Sequence, residues 1–186
     1  GTTALVFTYT VAEGNSDSAD LSVTSYSGTI ADAAGGAAAQ TGTVDLGTVT
    51  VDGDAPDFTS CAATDGTYKI GDTLTITCTW DEAVVTSNGA LTLSNSDTAT
   101  YSSGTGSVNI VFTTTVASGD TDASDLSVSA YTGTIADAAG GAAGAASGDL
   151  GAVIIDANVP TLTSVSIATA GTGNANNGDD VTLSFT

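Results

Sequence analysis

The feature that most constrains this chain is that it repeats itself. Residues 5–36 align without gaps to 110–141 at an offset of 105, with 22 of 32 positions identical. VDLGTVTVDGDAP at 44–56 then matches GDLGAVIIDANVP at 148–160 at an offset of 104, one residue being lost in an Ala/Gly-rich connection. IGDTLTITCT at 70–79 matches NGDDVTLSFT at 177–186 at an offset of 107. A fixed period of this kind makes each repeat one structural unit, here of about 105 residues. The Pro-containing junctions divide the chain into the back half of a unit at 1–54, a complete unit at 55–159, and the first strands of another at 160–186. We expect a segment of a longer array. The competing expectation is a subunit whose half-units complete one another between molecules by donor-strand exchange.

Within the complete unit, β-branched or alternating runs occur at 57–63, 73–80, 90–94, 97–102, 107–116, 126–131 and 149–155. Turn chemistry separates them, as at Asp65-Gly66, Gly71-Asp72, Asn88-Gly89 and Gly119-Asp120, the punctuation of antiparallel strands. The Ala-rich stretch at 135–148 holds too many Gly for a stable helix. Seven strands in this length predict an all-β fold of tandem immunoglobulin-like sandwiches. Trp80, Phe112, Tyr131, Leu74, Ile76, Cys78, Leu126, Val128 and Ile135 are the expected core.

The two cysteines occur only in the complete unit, where Cys61 aligns with Val165 and Cys78 with Phe185. Adjacent strands can bring them together, and a Cys61–Cys78 disulfide would imply an oxidising compartment. Two buried thiols are the other reading.

Composition removes whole classes of function. The chain has no His, which excludes imidazole general bases and His-ligated metals, and a single Lys against 21 acids. That balance leaves nothing to neutralise phosphates, so a nucleic-acid partner is not expected. No apolar run reaches the length of a membrane span, and Gly1, Thr2 and Thr3 are neither basic nor apolar, so no signal peptide is expected in this stretch. The only adjacent mixed acid pair, Asp81-Glu82, points apart on an extended chain and lies beside no obvious cleft, so no enzyme is expected.

Nineteen of the acids are Asp, which favours turns and oxygen-rich cation sites. Sandwich topology gathers the linker acids Asp52, Asp54 and Asp57 with Asp81, Glu82 and Asp137 at one end of the complete unit, facing Asp17 and Asp20 of the unit before it. Calcium takes about six to eight oxygens. A junctional Ca²⁺ site built on Asp52, Asp54, Glu82 and Asp137 is expected, set against solvated loop acids as the simpler reading. A second candidate is the D-x-D-x-x-D run Asp120, Asp122, Asp125, matched by Asn15, Asp17 and Asp20; it lacks the Gly and terminal Glu of an EF-hand.

VDGDAP and IDANVP resemble the V-D-x-x-A-P linkers of bacterial immunoglobulin-like tandem repeats, WDEAV at 80–84 is similar to their F-S-E-A-V element, and IADAAGG at 30–36 and 135–141 resembles their D-x-A-G-N turn. The resemblance implies a secreted or surface-anchored adhesin or extracellular fibre, stiffened by Ca²⁺ between domains. It carries metal-ligand roles onto Asp52 and Asp156 in the linkers, Glu82 after the second strand, and Asp32 and Asp137 in the turn. Gly36 and Gly141 replace the family's Asn, removing an oxygen, and Asn158 adds one in the second linker. The expected partners are neighbouring repeats or identical subunits. An adhesive module gripping a glycan or surface is a further alternative.

Overall fold

The computed structural model describes residues 4–38, 42–169 and 174–186, so the reading at Gly1, Thr2 and Thr3 falls outside it. The chain is all-β. Among the described residues there is no helix, and so none long and apolar enough to cross a membrane. The stretch at 135–148 carries bends and an isolated Ala136–Ala142 bridge instead.

The complete unit contains β3 (Phe58–Ala63), β4 (Gly66–Lys69), β5 (Thr73–Val84), β6 (Gly89–Leu93), β7 (Thr98–Ser103), β8 (Ser107–Thr115), β9 (Ser127–Gly133), β10 (Gly148–Asp149) and β11 (Val153–Asp156). Seven of these form one sheet in the order β10-β9-β6-β7-β8-β5-β3, every neighbour antiparallel. The sheet folds over its apolar face until its ends meet, where Ala63 N–H donates to Leu150 C=O at 3.1 Å and Gly66 N–H to Ala152 C=O at 3.0 Å. A parallel pair, β4 with β11, closes that seam. The result is sandwich-like and approaches a barrel.

Three features depart from the seven-strand expectation, the first being β4, which none of the expected runs covers. The run at 149–155 is broken by a bend at 150–152 into β10 and β11, because Gly151 takes φ +94, a conformation that glycine adopts without strain. The strand expected to end at Trp80 continues to Val84, so Asp81 and Glu82 lie on β5 and not in a loop.

Period-two burial explains the core. On β5, Leu74, Ile76, Cys78 and Trp80 are buried and the intervening Thr side chains face outward, as one covered sheet face requires. Ile76 pairs with Phe112 and Cys78 with Ile110 on β8. Phe112 lies edge-on between Tyr101 and Tyr131 at 6.5 and 6.1 Å. Trp80 meets Phe58 edge-on at 5.6 Å and donates its Nε1–H to Gly144 C=O at 3.0 Å, which satisfies the one polar atom that its burial would otherwise strand. Tyr131 is only half-buried, and its hydroxyl donates to Asn88 C=O at 3.2 Å.

The flanking stretches repeat these pairings without their burial. β1 (Ser22–Val23) pairs with β2 (Val44–Asp45) in the register that β9 keeps with β10. The Ser18–Val51 bridge likewise repeats Ala123–Ile155. β12 (Val165–Thr169) and β13 (Val181–Phe185) repeat the β3–β5 ladder, Val165 opposite Phe185 where the complete unit has Cys61 opposite Cys78.

Cys61 and Cys78 form a disulfide across that pair, and both are buried. The loop it closes spans a sequence separation of 17, for which restriction of the unfolded chain is worth about 3 kcal/mol. Replacing both cysteines by Ala is expected to lower the unfolding free energy by about that amount plus about 1 kcal/mol for the emptied space. Guanidinium unfolding of the variant against the parent checks this; equal midpoints would show that the cross-link adds nothing.

Candidate functional site

The linker at 52–56 runs between the back half-unit and the complete unit, and two hydrogen bonds fix its path. Gly53 N–H donates to Asp17 Oδ1 at 2.8 Å, and Ala55 N–H to Glu13 Oε1 at 3.4 Å. A Cβ on Gly53 would overlap Asn15 C=O, so only glycine lets the linker lie this close to the preceding unit. On the far side, Asp57 N–H donates to Asp81 Oδ1 at 2.8 Å and Asp81 N–H to Asp57 C=O at 3.1 Å.

Asp137 anchors the turn that faces the linker. Its Oδ1 accepts the N–H groups of Ala139, Gly140 and Gly141 at 2.7, 2.6 and 2.9 Å. Asp137 is only 5% exposed, yet Oδ2 has no donor among the described residues. Asp32 makes the same kind of turn, accepting Ala34 and Gly36 N–H, but it is exposed. A Cβ at Gly141 would crowd the Asp137 carboxylate and reach Ala55 Cα at 3.4 Å, and a Cβ at Gly36 would likewise crowd the Asp32 carboxylate.

Glu13, Asp52, Asp54 and Asp137 line a small cavity of about 130 Å³ together with linker backbone. An adjoining hollow brings Asp17 beside Asp52. Partial desolvation, then repulsion from Asp137, Asp17 and Asp54, raise the Asp52 carboxyl above its ordinary range. Glu82 is raised likewise, by desolvation first and then by Asp52, Asp137, Asp81 and Asp17. Asp52, Asp54 and Asp137 thus line one cavity, Asp17 borders the hollow beside it, Glu82 feels their charge without lining either, and Asp57 is held at the margin. No three acidic or thiol side chains among the described residues already stand in a metal-gripping arrangement; a cation would have to draw the carboxylates inward.

The other expected ligands do other work or stand apart. Asp122 Oδ1 accepts Ala157 N–H at 2.8 Å and its Oδ2 accepts the Asn158 side-chain amide at 2.6 Å. Asp120 closes a turn on Ala117 N–H at 2.7 Å. Asp20, Asp125 and Asp156 are exposed. Glu13 was not among the expected ligands. Its signal was present, since it is one of two Glu in the chain and aligns with Ser118 in the next unit.

No protein-family model, curated protein or solved structure matches the chain.

The raised carboxyls set the sign of a pH dependence. A carboxyl with a raised folded-state pKa binds its proton more tightly folded than unfolded, so it makes stability fall as pH rises through that range. In chelator, the junction is expected to strengthen as pH falls toward the ordinary carboxylate range of about 4. Asp52→Asn with Glu82→Gln is expected to flatten that slope. Thermal unfolding against pH for parent and double variant measures it, and parallel curves would contradict the assignment.

Proposed function

We propose that this chain is part of the shaft of an extracellular fibre or adhesin, a tandem array of immunoglobulin-like sandwiches stiffened by Ca²⁺ at the junctions. The observation that carries this reading is the junction itself: a glycine-shaped linker, acids from consecutive units lining one small cavity, and a buried Asp137 whose Oδ2 has no donor among the described residues. A chain of charge −20 with one Lys has no means of neutralising such a cluster internally. An oxygen-only donor set of carboxylates and linker carbonyls suits Ca²⁺, and Asp52, Asp54, Glu82, Asp137 and Glu13 are the residues that would hold it. Bound, the ion would convert repulsion between units into attraction. The Cys61–Cys78 disulfide supports an oxidising, extracellular setting, and the three motifs shared with bacterial immunoglobulin-like repeats support the same role. Length and stiffness are the work of such a chain.

Ca²⁺ in about hundredfold excess over its dissociation constant is expected to stabilise the junction by about 2.7 kcal/mol. The melting temperature should rise, and small-angle scattering should show a longer, stiffer particle than in chelator. Asp52→Asn with Glu82→Gln should abolish both responses while leaving the chain folded. Identical scattering and melting with and without Ca²⁺ would remove the mechanism.

A further inference from the structure

Tension along a shaft reaches the complete unit through its two linkers, and they meet it at opposite ends of β5. On the entering side, Asp57 N–H donates to Asp81 Oδ1 at 2.8 Å, Asp81 N–H returns a bond to Asp57 C=O at 3.1 Å, and Phe58 lies opposite Trp80. On the leaving side, Asp156 lies opposite Lys69 at the end of the β4–β11 ladder. Lys69 N–H donates to Asp72 Oδ2 at 3.0 Å, just before β5 begins at Thr73. A pull on the two linkers is therefore directed along the strands: β3 is drawn lengthwise past β5, and β11 lengthwise past β4. Ladder hydrogen bonds run across the strands, so a lengthwise pull strains all the bonds of a ladder together, whereas a pull across a strand end opens them one at a time.

β3 is the weaker of the two loaded strands. It is an edge of the large sheet, paired there with β5 alone, and its ladder is irregular between Phe58 and Ser60. The Cys61–Cys78 bond crosses this ladder three residues past Phe58 and ties β3 to a strand that is itself paired on both sides. The two cysteines have a sequence separation of 17, so 16 residues lie between them, the whole of β4 included. In the β12–β13 ladder the same position holds Val165 opposite Phe185, so the covalent tie belongs to the complete unit and not to the repeat as such.

We propose that the Cys61–Cys78 bond and the β4–β11 ladder together make the complete unit a tension clamp. With the bond in place, a pull entering at Phe58 passes into β5 after three residues, β3 cannot slide, and the unit yields only when β4 and β11 shear apart. Without the bond, β3 slips at a lower load and the ladder yields afterwards. The bond also keeps residues 62–77 out of the extended length once the unit has yielded. The clamp rests on the reading of the chain as a shaft under tension, and it does not depend on calcium.

The test is to stretch the 186-residue chain between its two ends in optical tweezers, in chelator. The parent is expected to lose its complete unit in one step. Cys61→Ala with Cys78→Ala should give two steps, the first at lower load, with a total release greater by about 55 Å, the 16 residues at about 3.4 Å each. Unfolding at fixed load should be faster by about tenfold or more, because forced unfolding follows the unfolding rate. Cys61→Val with Cys78→Val, which refills the emptied space, gives the same readout if the Ala pair does not fold. Ile154→Pro, in the middle of β11 with an outward side chain, should with the bond intact speed unfolding under load by a larger factor than it speeds unfolding in guanidinium. A single step at an unchanged rate after loss of both cysteines, or equal factors for Ile154→Pro with and without load, would overturn the clamp. Either result beside a Ca²⁺-dependent change in scattering would remove the clamp and leave the calcium-stiffened shaft, while two-step yielding without any Ca²⁺ response would remove the calcium lock and leave the clamp.

Discussion

The pairing of β5 with β8 is the interaction on which the rest of the fold depends. It sets Ile76 beside Phe112 and Cys78 beside Ile110, and every other strand of the large sheet is reached from one of these two. The 4–54 stretch has the sequence of β8, β9, β10 and β11 and keeps the β9–β10 register in β1–β2, while its segment at 4–12 forms no ladder with any described strand. Short-range pairing thus occurs there without the burial of the complete unit. The separation is expected where local hydrogen bonds are specified by turn and register, while the free energy comes from covering apolar area.

The charge distribution imposes the second constraint. An outward acid on a strand is solvated at little expense, but acids at a junction are brought together whenever the units are aligned. Under the proposed function, straightness and charge neutralisation would be coupled. Asp52 and Glu82 carry raised carboxyls, and the Oδ2 of buried Asp137 has no donor among the described residues.

Much of the fold was legible in the sequence because the repeat supplies its own alignment. Six of the seven expected strands fall within a few residues of their observed ends, and the cysteine pair follows from apolar counterparts on adjacent strands. The β4–β11 ladder was not legible, since parallel pairing between residues 66–69 and 153–156 leaves no local periodic mark. The extension of β5 through Asp81 and Glu82 was missed because acids there read as loop chemistry. At the site, convergence of the linker acids with Asp137 and Glu82 was readable from topology. The role of Gly53 was not, because it depends on how closely two backbones approach.

The two linkers show why composition alone could not rank the candidate sites. In both, the acid two residues beyond the turn (Asp17 or Asp122) accepts the N–H of the residue after the linker acid, at 2.8 Å in each case. The next position differs: Asp54 in the first linker, Asn158 in the second. Asn158 donates to the free oxygen of Asp122, so that linker satisfies its carboxylate from within. A carboxylate only accepts, so Asp54 offers Asp17 nothing and adds a further negative charge to a cluster that already contains Asp52, Asp137 and Glu13. The same carboxylate-to-backbone hydrogen bond recurs in both linkers, but one adds an amide donor to its carboxylate while the other adds a further acceptor.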